Sequence, residues 1–243
     1  MIRVHASAVC RVRDGFTGQP VETAGVLCSL DGQSCRPVCK PGGYLILTNL
    51  PAGRHVLILT AAGFQREQME LTAGGGTEEL DVSMKPGPGY PFRQSVTRLE
   101  LRVRRAEGAA GNSPLWLAWT AGAELAVAQT TAESGADSLR LFCKGQRKLL
   151  PIPGMYLLAD GEKSEIVSLR ALEGETGELS RPLVHAHSRS RTLQPAQCFR
   201  TDADGTLRAF FPQPCTVTAF SPPGGQCESL PLQEGDNLRE IRI

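Results

Sequence analysis

Residues 40–64, KPGGYLILTNLPAGRHVLILTAAGF, carry the most regular apolar pattern of the chain. Two apolar runs, 44–48 and 55–60, have the length of β-strands, and the segment between them has the composition of a turn. A phosphate-binding loop would need a helix after the glycines at 42 and 43, because the helix N-terminus supplies the anion site. A strand follows instead. The segment is therefore predicted to be the central hairpin of a β-sandwich.

The same two-residue alternation surrounds this segment. Residues 79–84 place Leu80, Val82 and Met84 on one face and polar side chains on the other, as in a half-buried strand. Further strands are predicted over 2–12 and 65–71, and no helical period persists for three turns. Residues 1–87 are therefore predicted to form an all-β sandwich or barrel of roughly Ig size.

The rest of the chain is also predicted to be β, which makes the fold class all-β and multi-domain. KPGPGYP at 85–91 has the composition of a linker. A middle domain of small antiparallel strands is expected over 88–180, and a smaller β unit over 181–243. That last unit is predicted to be a partial repeat of the first, because TLRAFF, PQPC, TVTAF and SPPGG follow Gly205 in the order seen after Gly43.

Bulk composition restricts the function classes. The 243 residues carry 26 basic and 25 acidic side chains, a formal net charge of +1, which gives no electrostatic drive towards nucleic acid or membrane. The start of the chain has no signal-peptide pattern, and no apolar run reaches the ~20 residues of a membrane-spanning helix. We therefore expect a cytoplasmic protein without membrane insertion, whose eight cysteines are reduced rather than paired in disulfides.

Residues 1–85, and more loosely 195–243, resemble the carboxypeptidase regulatory-like domain, a transthyretin-like β-sandwich. The motifs that carry the resemblance are Thr17-Gly18-Gln19-Pro20-Val21, Gly43-Tyr44, Leu50-Pro51-Ala52-Gly53 and Gly63-Phe64. Such domains are structural or adhesive additions to other proteins. The resemblance implies no catalytic residues.

Residues 156–187 resemble a β module of phage tails and phage-tail-like particles. Its motifs are Asp160-Gly161, Glu165-Ile166-Val167, Glu173-Gly174 and His187-Ser188. The resemblance implies assembly into a particle in the cytoplasm.

Several residues are candidates for chemistry, each with a structural alternative. Asp202 and Asp204 in TDADGT suggest a calcium loop, but a strand follows at once, which favours a turn. His185 and His187 would share a face of a strand and could bind a metal, but no third ligand is in view, which favours a surface pair.

Two further stretches have the same ambiguity. Trp116 and Trp119 could form a platform that binds a sugar or a partner, but tryptophans in so apolar a run are more often part of the core. The arginines of VTRLELRVRR suggest a nucleic-acid patch or, better, the solvated face of an amphipathic strand.

These patterns predict a non-enzymatic structural or adaptor component of a larger protein assembly, with no catalytic, metal or cofactor site. Its partners would be other protein subunits or further copies of the chain. A phage tail or contractile phage-tail-like injection particle is the most concrete candidate. The alternatives are a carbohydrate- or surface-binding adhesin module and an accessory domain of an enzyme complex.

Overall fold

The computed structural model describes residues 5–120, 122–147, 150–222 and 226–243, and these residues form a multi-sheet β fold, as predicted. Two short 3-10 turns lie in these ranges, Thr23–Gly25 and Gly161–Lys163. Residues 2–4 of the first predicted strand and residues 223–225 of the predicted turn at 221–225 lie outside them. In the part of the chain described, no helix has the length and apolarity that crossing a lipid bilayer requires.

The chain divides into two compact units, Met1–Ser95 and Val96–Ile243. The first unit is a sandwich of two four-stranded sheets ordered β4-β5-β1-β8 and β3-β2-β6-β7. Apolar side chains from both sheets, among them Val12, Leu45 and Leu59, form one core between them. The strands are β1 (Ala6–Asp14), β2 (Leu27–Leu30), β3 (Gln33–Cys35), β4 (Val38–Lys40), β5 (Tyr44–Thr48), β6 (Gly53–Thr60), β7 (Glu67–Ala73) and β8 (Glu78–Met84).

The predicted hairpin at 40–64 is wrong in its pairing, although both of its strands are present. β5 pairs with β1 and β4, whereas β6 pairs with β2 and β7 in the other sheet. Residues 49–52 therefore cross from one sheet to the other. Asn49 has a φ of 54°, and the Leu50 amide donates to Oγ of the buried Ser7 at 2.9 Å. Both strands bury alternate side chains in one core. Two strands in facing sheets can bury these side chains as well as two strands of a hairpin can.

The glycine entry to β5 has a packing role. Gly43 has a φ of +83°, and a Cβ atom on it would lie 2.3 Å from the Val12 carbonyl oxygen. Its own carbonyl accepts the Val12 amide at 2.7 Å. Only glycine allows the chain to approach β1 this closely.

The predicted linker at 85–91 is packed onto the first unit rather than extended. The Gln65 amide donates to the Lys85 carbonyl at 2.8 Å, and the Gly87 amide donates to Gly63 at 2.8 Å. The Tyr90 hydroxyl hydrogen-bonds Asp14 at the end of β1. Edge-to-face and tilted contacts then join four aromatic rings into one cluster: Phe16, Phe64, Tyr90 and Phe92. The first unit accordingly continues to Ser95, beyond the predicted boundary at 87.

The second unit contains a sandwich and a closed sheet. Its strands are β9 (Thr97–Arg105), β10 (Gly108–Ala109), β11 (Pro114–Trp119), β12 (Ala123–Val127), β13 (Thr131–Ala132), β14 (Ser138–Gly145), β15 (Gly154–Ala159), β16 (Glu165–Glu173), β17 (Thr176–Leu179), β18 (His187–Ser188), β19 (Thr192–Arg200), β20 (Thr206–Phe211), β21 (Thr216–Ser221), β22 (Gln226–Pro231) and β23 (Gly235–Arg242).

The sandwich of the second unit repeats the pairing scheme of the first. β9 pairs antiparallel with β20 and parallel with β23, as β1 pairs with β5 and β8. β21 pairs with β11 and β22, as β6 pairs with β2 and β7. A single core that includes Leu101, Leu117 and Phe211 lies between the two sheets. The repeat thus includes 97–119 as well as 206–242.

Between β11 and β20 the chain forms a closed sheet of six strands. Their order is β12-β14-β17-β16-β15-β19, and β19 pairs back with β12. A separate core that includes Leu125, Tyr156 and Leu193 fills it. The second half of β19 leaves this sheet and pairs with β11 in the sandwich.

The domain division observed differs from the predicted one at 88–180 and 181–243. β20 and β23 pair with β9, so strands on both sides of 180 complete one sandwich. Residues 181–243 therefore belong to the same compact unit as residues 96–180. The closed sheet lies between the two sequence segments of that sandwich, and for this reason the segments looked independent.

Candidate functional site

The outer face of the sheet formed by β20, β9 and β23 is the most distinctive surface of the second unit. Alternate residues of β9 point outward, and register places the acids of β23 and the arginine of β20 beside them. Ion pairs join Arg98 to Asp236 at 3.3 Å, Arg104 to Glu240 at 2.9 Å and Arg208 to Glu100 at 3.2 Å. The face carries five arginines and three carboxylates, a surplus of two positive charges, and its members are Arg98, Glu100, Arg102, Arg104, Arg208, Asp236, Glu240 and Arg242.

This charged face confirms that the arginines of 98–104 lie on the exposed side of an amphipathic strand. Each of Arg98, Arg102 and Arg104 has a carboxylate within 4.0 Å. Leu238 lies opposite Glu100 among these charges with 55% of its surface exposed. A single exposed leucine is common on protein surfaces, so the surrounding charges are what distinguish this position.

Arg239 occupies part of the open edge beside this face. The Ile243 amide donates to the Arg104 carbonyl at 3.0 Å, so odd-numbered residues of β23 direct their backbone to β9 and even-numbered residues direct theirs to the edge. The Arg239 guanidinium donates to the Leu238 carbonyl at 2.9 Å and to the Pro231 carbonyl at 3.0 Å. It therefore occupies acceptors on the edge strands of both sheets.

A buried charge network lies in the second unit around His187. Its ring is fully buried, with Nδ1 at 3.0 Å from Asp160 Oδ2 and Nε2 at 2.9 Å from Glu165 Oε1. The Arg191 Nε donates to Asp160 Oδ1 at 2.8 Å. Glu165 also accepts the backbone amides of Val184 and His185 at 3.0 and 2.9 Å.

The network is electrically balanced when the His187 ring is protonated. Burial disfavours the charged ring, but its hydrogen bonds to Glu165 and Asp160 outweigh burial and raise the pKa of His187. Burial opposes ionisation of Glu165 as well, and the hydrogen bonds from His187 and the two amides outweigh it and lower the pKa of that carboxyl. Two positive and two negative groups then cancel. Both ring nitrogens are occupied, so the arrangement fixes the loop at 184–187 rather than offering a base to a substrate.

The prediction that the two candidate metal-binding histidines share a face of a strand is wrong. His187 is buried and His185 is exposed, and their rings lie 6.5 Å apart at an interplanar angle of 88°. Only residues 187 and 188 of this segment are strand, so alternation does not extend back to 185. No cluster of three or more His, Cys, Asp or Glu in the described ranges is placed to hold a metal ion.

A second histidine links two turns of the first unit. His55 Nδ1 lies 2.7 Å from Asp31 Oδ2, and its Nε2 lies 2.9 Å from the Pro51 carbonyl. The hydrogen bonds to Asp31 and Pro51 raise the pKa of His55. The ring thereby holds the turn between β2 and β3 against the crossing at 49–52. No sequence pattern pointed to this pair, because 24 residues separate its members.

The TDADGT segment forms a turn into β20. The Thr206 amide donates to Asp202 Oδ1 at 2.8 Å and to Asp204 Oδ1 at 3.2 Å. Burial and the neighbouring Asp204 raise the pKa of Asp202. Gly205 has a φ of +81°, and a Cβ atom there would lie 2.7 Å from the Val103 carbonyl oxygen. The two carboxylates therefore stabilise the turn by accepting a backbone amide.

Both tryptophans are half-buried in packing contacts. Trp119 packs on the sandwich core, with its ring edge-to-face against Phe211 at 5.2 Å between centroids. Trp116 packs on a cluster formed by Ala118, Leu157, Ala196 and Phe220. These positions agree with a core role rather than with an open sugar platform.

All eight cysteines are free thiols in the structure. Four of them belong to the first unit: Cys10, Cys28, Cys35 and Cys39. Burial raises the pKa of the Cys10 thiol to about 11, and Glu78 and Cys35 add to the shift. Burial raises the pKa of the Cys28 thiol to about 12, and the neighbouring cysteines add to that shift. Thiols in this state are weak nucleophiles at neutral pH.

Comparison with known proteins identified no family. No family model matches the chain, and no curated protein matches it. Among solved structures, the TIE protein of Bacillus anthracis has a TM-score of 0.27 and 11% identity over 98% of this chain, which spans 33% of that protein. BcpA, the major pilin subunit of Bacillus cereus, has a TM-score of 0.27 and 7% identity, and 99% of each chain is covered.

A third structure, described as a carbohydrate-binding protein from Bacteroides uniformis, has a TM-score of 0.27 and 9% identity over 95% of this chain and 98% of its own. Likenesses at this level bear on neither the fold nor the function of the chain.

Proposed function

We propose that the protein is a non-enzymatic structural or adaptor component of a larger protein assembly. The observation that carries the proposal is the outer face of the β20-β9-β23 sheet, where Leu238 stands exposed among eight charged side chains. Arginine and apolar anchors are enriched at protein interfaces, and a mixed-charge rim gives specificity for one partner. The surplus of positive charge favours a partner surface with an acidic rim.

The partner docks on this face rather than adding a strand to its edge. Arg239 covers carbonyl acceptors that an added strand would need. The polar side chains of the face point outward and hold each other in ion pairs, so the surface is pre-arranged before contact. Other protein subunits, or further copies of this chain, are the occupants.

A phage tail or contractile phage-tail-like injection particle, assembled in the cytoplasm, is the concrete candidate. Support comes from the residues by which 156–187 resembles a phage-tail module. Asp160 and Glu165 meet His187, which is 22 residues or more further along the chain, in one buried network. The resemblance thus rests on residues that fix a loop of the folded unit. For the first unit we propose membership of the carboxypeptidase regulatory-like domains, supported by the backbone role of Gly43 and by the sheet crossing at Pro51.

Size fractionation of a native lysate tests the proposal. The wild-type chain is expected in a high-mass fraction, and Leu238→Asp is expected to shift it to the free fraction. Leu27→Asp is the matched control, since Leu27 is an exposed leucine of the other unit and is 73% accessible. A wild-type chain that runs as a monomer would refute the assembly role.

Retention of Leu238→Asp in the high-mass fraction would refute this face as the contact. Electron microscopy of that fraction, with an antibody against the chain, tests the particle itself. Labelled tail-like particles are expected, and a labelled assembly of any other form would remove the particle candidate while leaving the assembly role.

A further inference from the structure

Two of the four cysteines of the first unit face each other across adjacent strands. Cys28 on β2 and Cys35 on β3 are directly opposed in the antiparallel register. They form the third residue pair from the turn at Asp31 and Gly32, after Leu30 with Gln33 and Ser29 with Ser34. Directly opposed residues of an antiparallel pair have Cα atoms about 4.5–5.5 Å apart and side chains on the same face. A disulfide spans Cα separations of about 4.4–6.8 Å. The backbone therefore already has the geometry for a bond between them.

The environment of the two thiols agrees with this pairing. Cys28 is 7% exposed and belongs to the sandwich core, and Cys35 is partly buried against the same core. Cys35 is the first of the neighbouring thiols whose charge raises the pKa of Cys28, after burial itself. Cys10 lies on β1 in the opposite sheet, and Cys39 is exposed on β4 with its Sγ directed to the Thr23 carbonyl at 3.7 Å. The opposed register is shared by Cys28 and Cys35 alone among these four.

We infer that Cys28 and Cys35 are a site of reversible disulfide formation with a small-molecule disulfide such as glutathione disulfide. The thiolate of Cys35, the more exposed of the two, attacks one sulfur of the small disulfide and releases one small thiol. The thiolate of Cys28 then attacks Cys35 Sγ, which forms the Cys28–Cys35 bond and releases the second small thiol. The protein loses two protons and two electrons, and the small disulfide gains them. This inference is independent of the proposed assembly role.

Chain entropy makes the bond stabilising. It closes the hairpin of β2 and β3, so it restricts the unfolded chain while changing the folded one little. Its formation is slow at neutral pH, because only the thiolate reacts and burial keeps both thiols protonated. Below the thiol pKa the thiolate fraction rises about tenfold per pH unit, so the rate is expected to rise by about a hundredfold between pH 7 and pH 9.

Peptide mapping of the full chain tests the inference. The protein is equilibrated with glutathione and glutathione disulfide at several ratios, quenched with acid, and its free thiols are alkylated. Cleavage before Asp31 separates Cys28 from Cys35, so the two fragments stay together only if a disulfide joins them. The joined fragments are expected in the wild-type chain and in Cys39→Ser, because Cys39 lies on the same fragment as Cys35. They are expected to be absent from Cys35→Ser.

The oxidised wild-type chain is also expected to have a higher thermal midpoint for the first unit than the reduced chain. A disulfide that involves Cys10 or Cys39 instead would overturn the inference. So would a chain that stays reduced, or carries only bound glutathione, at every ratio. A rate that does not rise with pH would exclude attack by these buried thiols. If a serine variant fails to fold, tandem mass spectrometry of the joined wild-type fragments, with backbone cleavage between Cys35 and Cys39, shows which of the two cysteines is bonded to Cys28.

Discussion

Gly43 shows how one residue can set the distance between two strands. Its neighbour Gly42 has nearly the same backbone angle, with φ +82° against +83°, but a Cβ atom on Gly42 would meet the Tyr44 ring at an ordinary 3.4 Å. At Gly43 the same atom would lie 2.3 Å from the Val12 carbonyl oxygen. The two positions therefore separate the cost of a left-handed backbone from the cost of a clash.

Alanine substitution at the two glycines is expected to give different losses of stability. Gly42→Ala should lower the free energy of unfolding of the first unit by about 1 kcal/mol, the cost of a left-handed L-residue. Gly43→Ala should lower it by about 3 kcal/mol or more, because β1 and β5 must also move apart. Urea denaturation measures both. Equal losses would show that the close approach to Val12 is not required.

His187 is expected to make the stability of the second unit depend on pH. The raised pKa of His187 stabilises the fold fully below about pH 6.5, the value of an unfolded histidine, and this contribution is lost as pH rises through the native pKa. The lowered pKa of Glu165 stabilises the fold above 4.5, and this contribution is lost as pH falls through the native value. The network should therefore stabilise most between pH 4.5 and about 6.5.

The comparison of wild-type and His187→Gln by urea denaturation tests this. At pH 6 the variant is expected to be less stable by about 3 kcal/mol, since among the described residues the buried Glu165 loses its only cation and Asp160 keeps only Arg191. The difference should shrink towards pH 9. His185→Gln is the control, because that exposed ring lies outside the network. A difference that stays constant with pH would contradict a charged His187.

At the scale of the element, strands were predictable but their partners were not. Alternation located β5, β8 and β9 within a residue or two, because every second side chain of a half-buried strand is apolar. The same alternation is found whether two consecutive strands pair in one sheet or lie in two facing sheets. For this reason the prediction that 40–64 is a hairpin was wrong. The opposition of Cys28 and Cys35 was likewise invisible until the Asp31-Gly32 turn fixed the register.

The edge of the second sandwich depends on Arg239, which is partly inward-pointing and bonds carbonyls of β22 and β23. Arg239→Ala is expected to increase self-association, because it uncovers acceptors on two edge strands. The loss of stability should be modest, about 1–2 kcal/mol for two hydrogen bonds. Sedimentation velocity measures the association.

Arg181→Ala is the matched control, as it removes the same charge from an exposed position of the same unit that lies outside both the edge and the charged face. If both variants associate equally, net charge rather than the covered edge keeps the chain apart.

At the scale of the whole molecule, the chain contains one sandwich scheme twice, and the second copy is interrupted by a closed six-stranded sheet. The sequence showed the later half of that repeat at 206–242. It did not show the earlier half at 97–119, because the closed sheet lies between residues 119 and 206 and separates the two halves in sequence. Turn and linker composition also misplaced the first boundary, since the prolines and glycines of 85–91 pack against β1 and the Gly63-Phe64 turn instead of separating units.

Fragments cut at the observed and the predicted boundaries should therefore behave differently. Residues 1–95 are expected to fold cooperatively, whereas residues 1–87 should be less stable by about 2 kcal/mol or more, because they lack Tyr90 and Phe92 and their contacts with Phe16. Residues 181–243 should not fold alone, since β20 and β23 both need β9 as their partner. Amide NMR dispersion and urea denaturation measure these outcomes. Residues 96–243 are the positive control, and a folded 181–243 fragment would show that this segment is an independent domain after all.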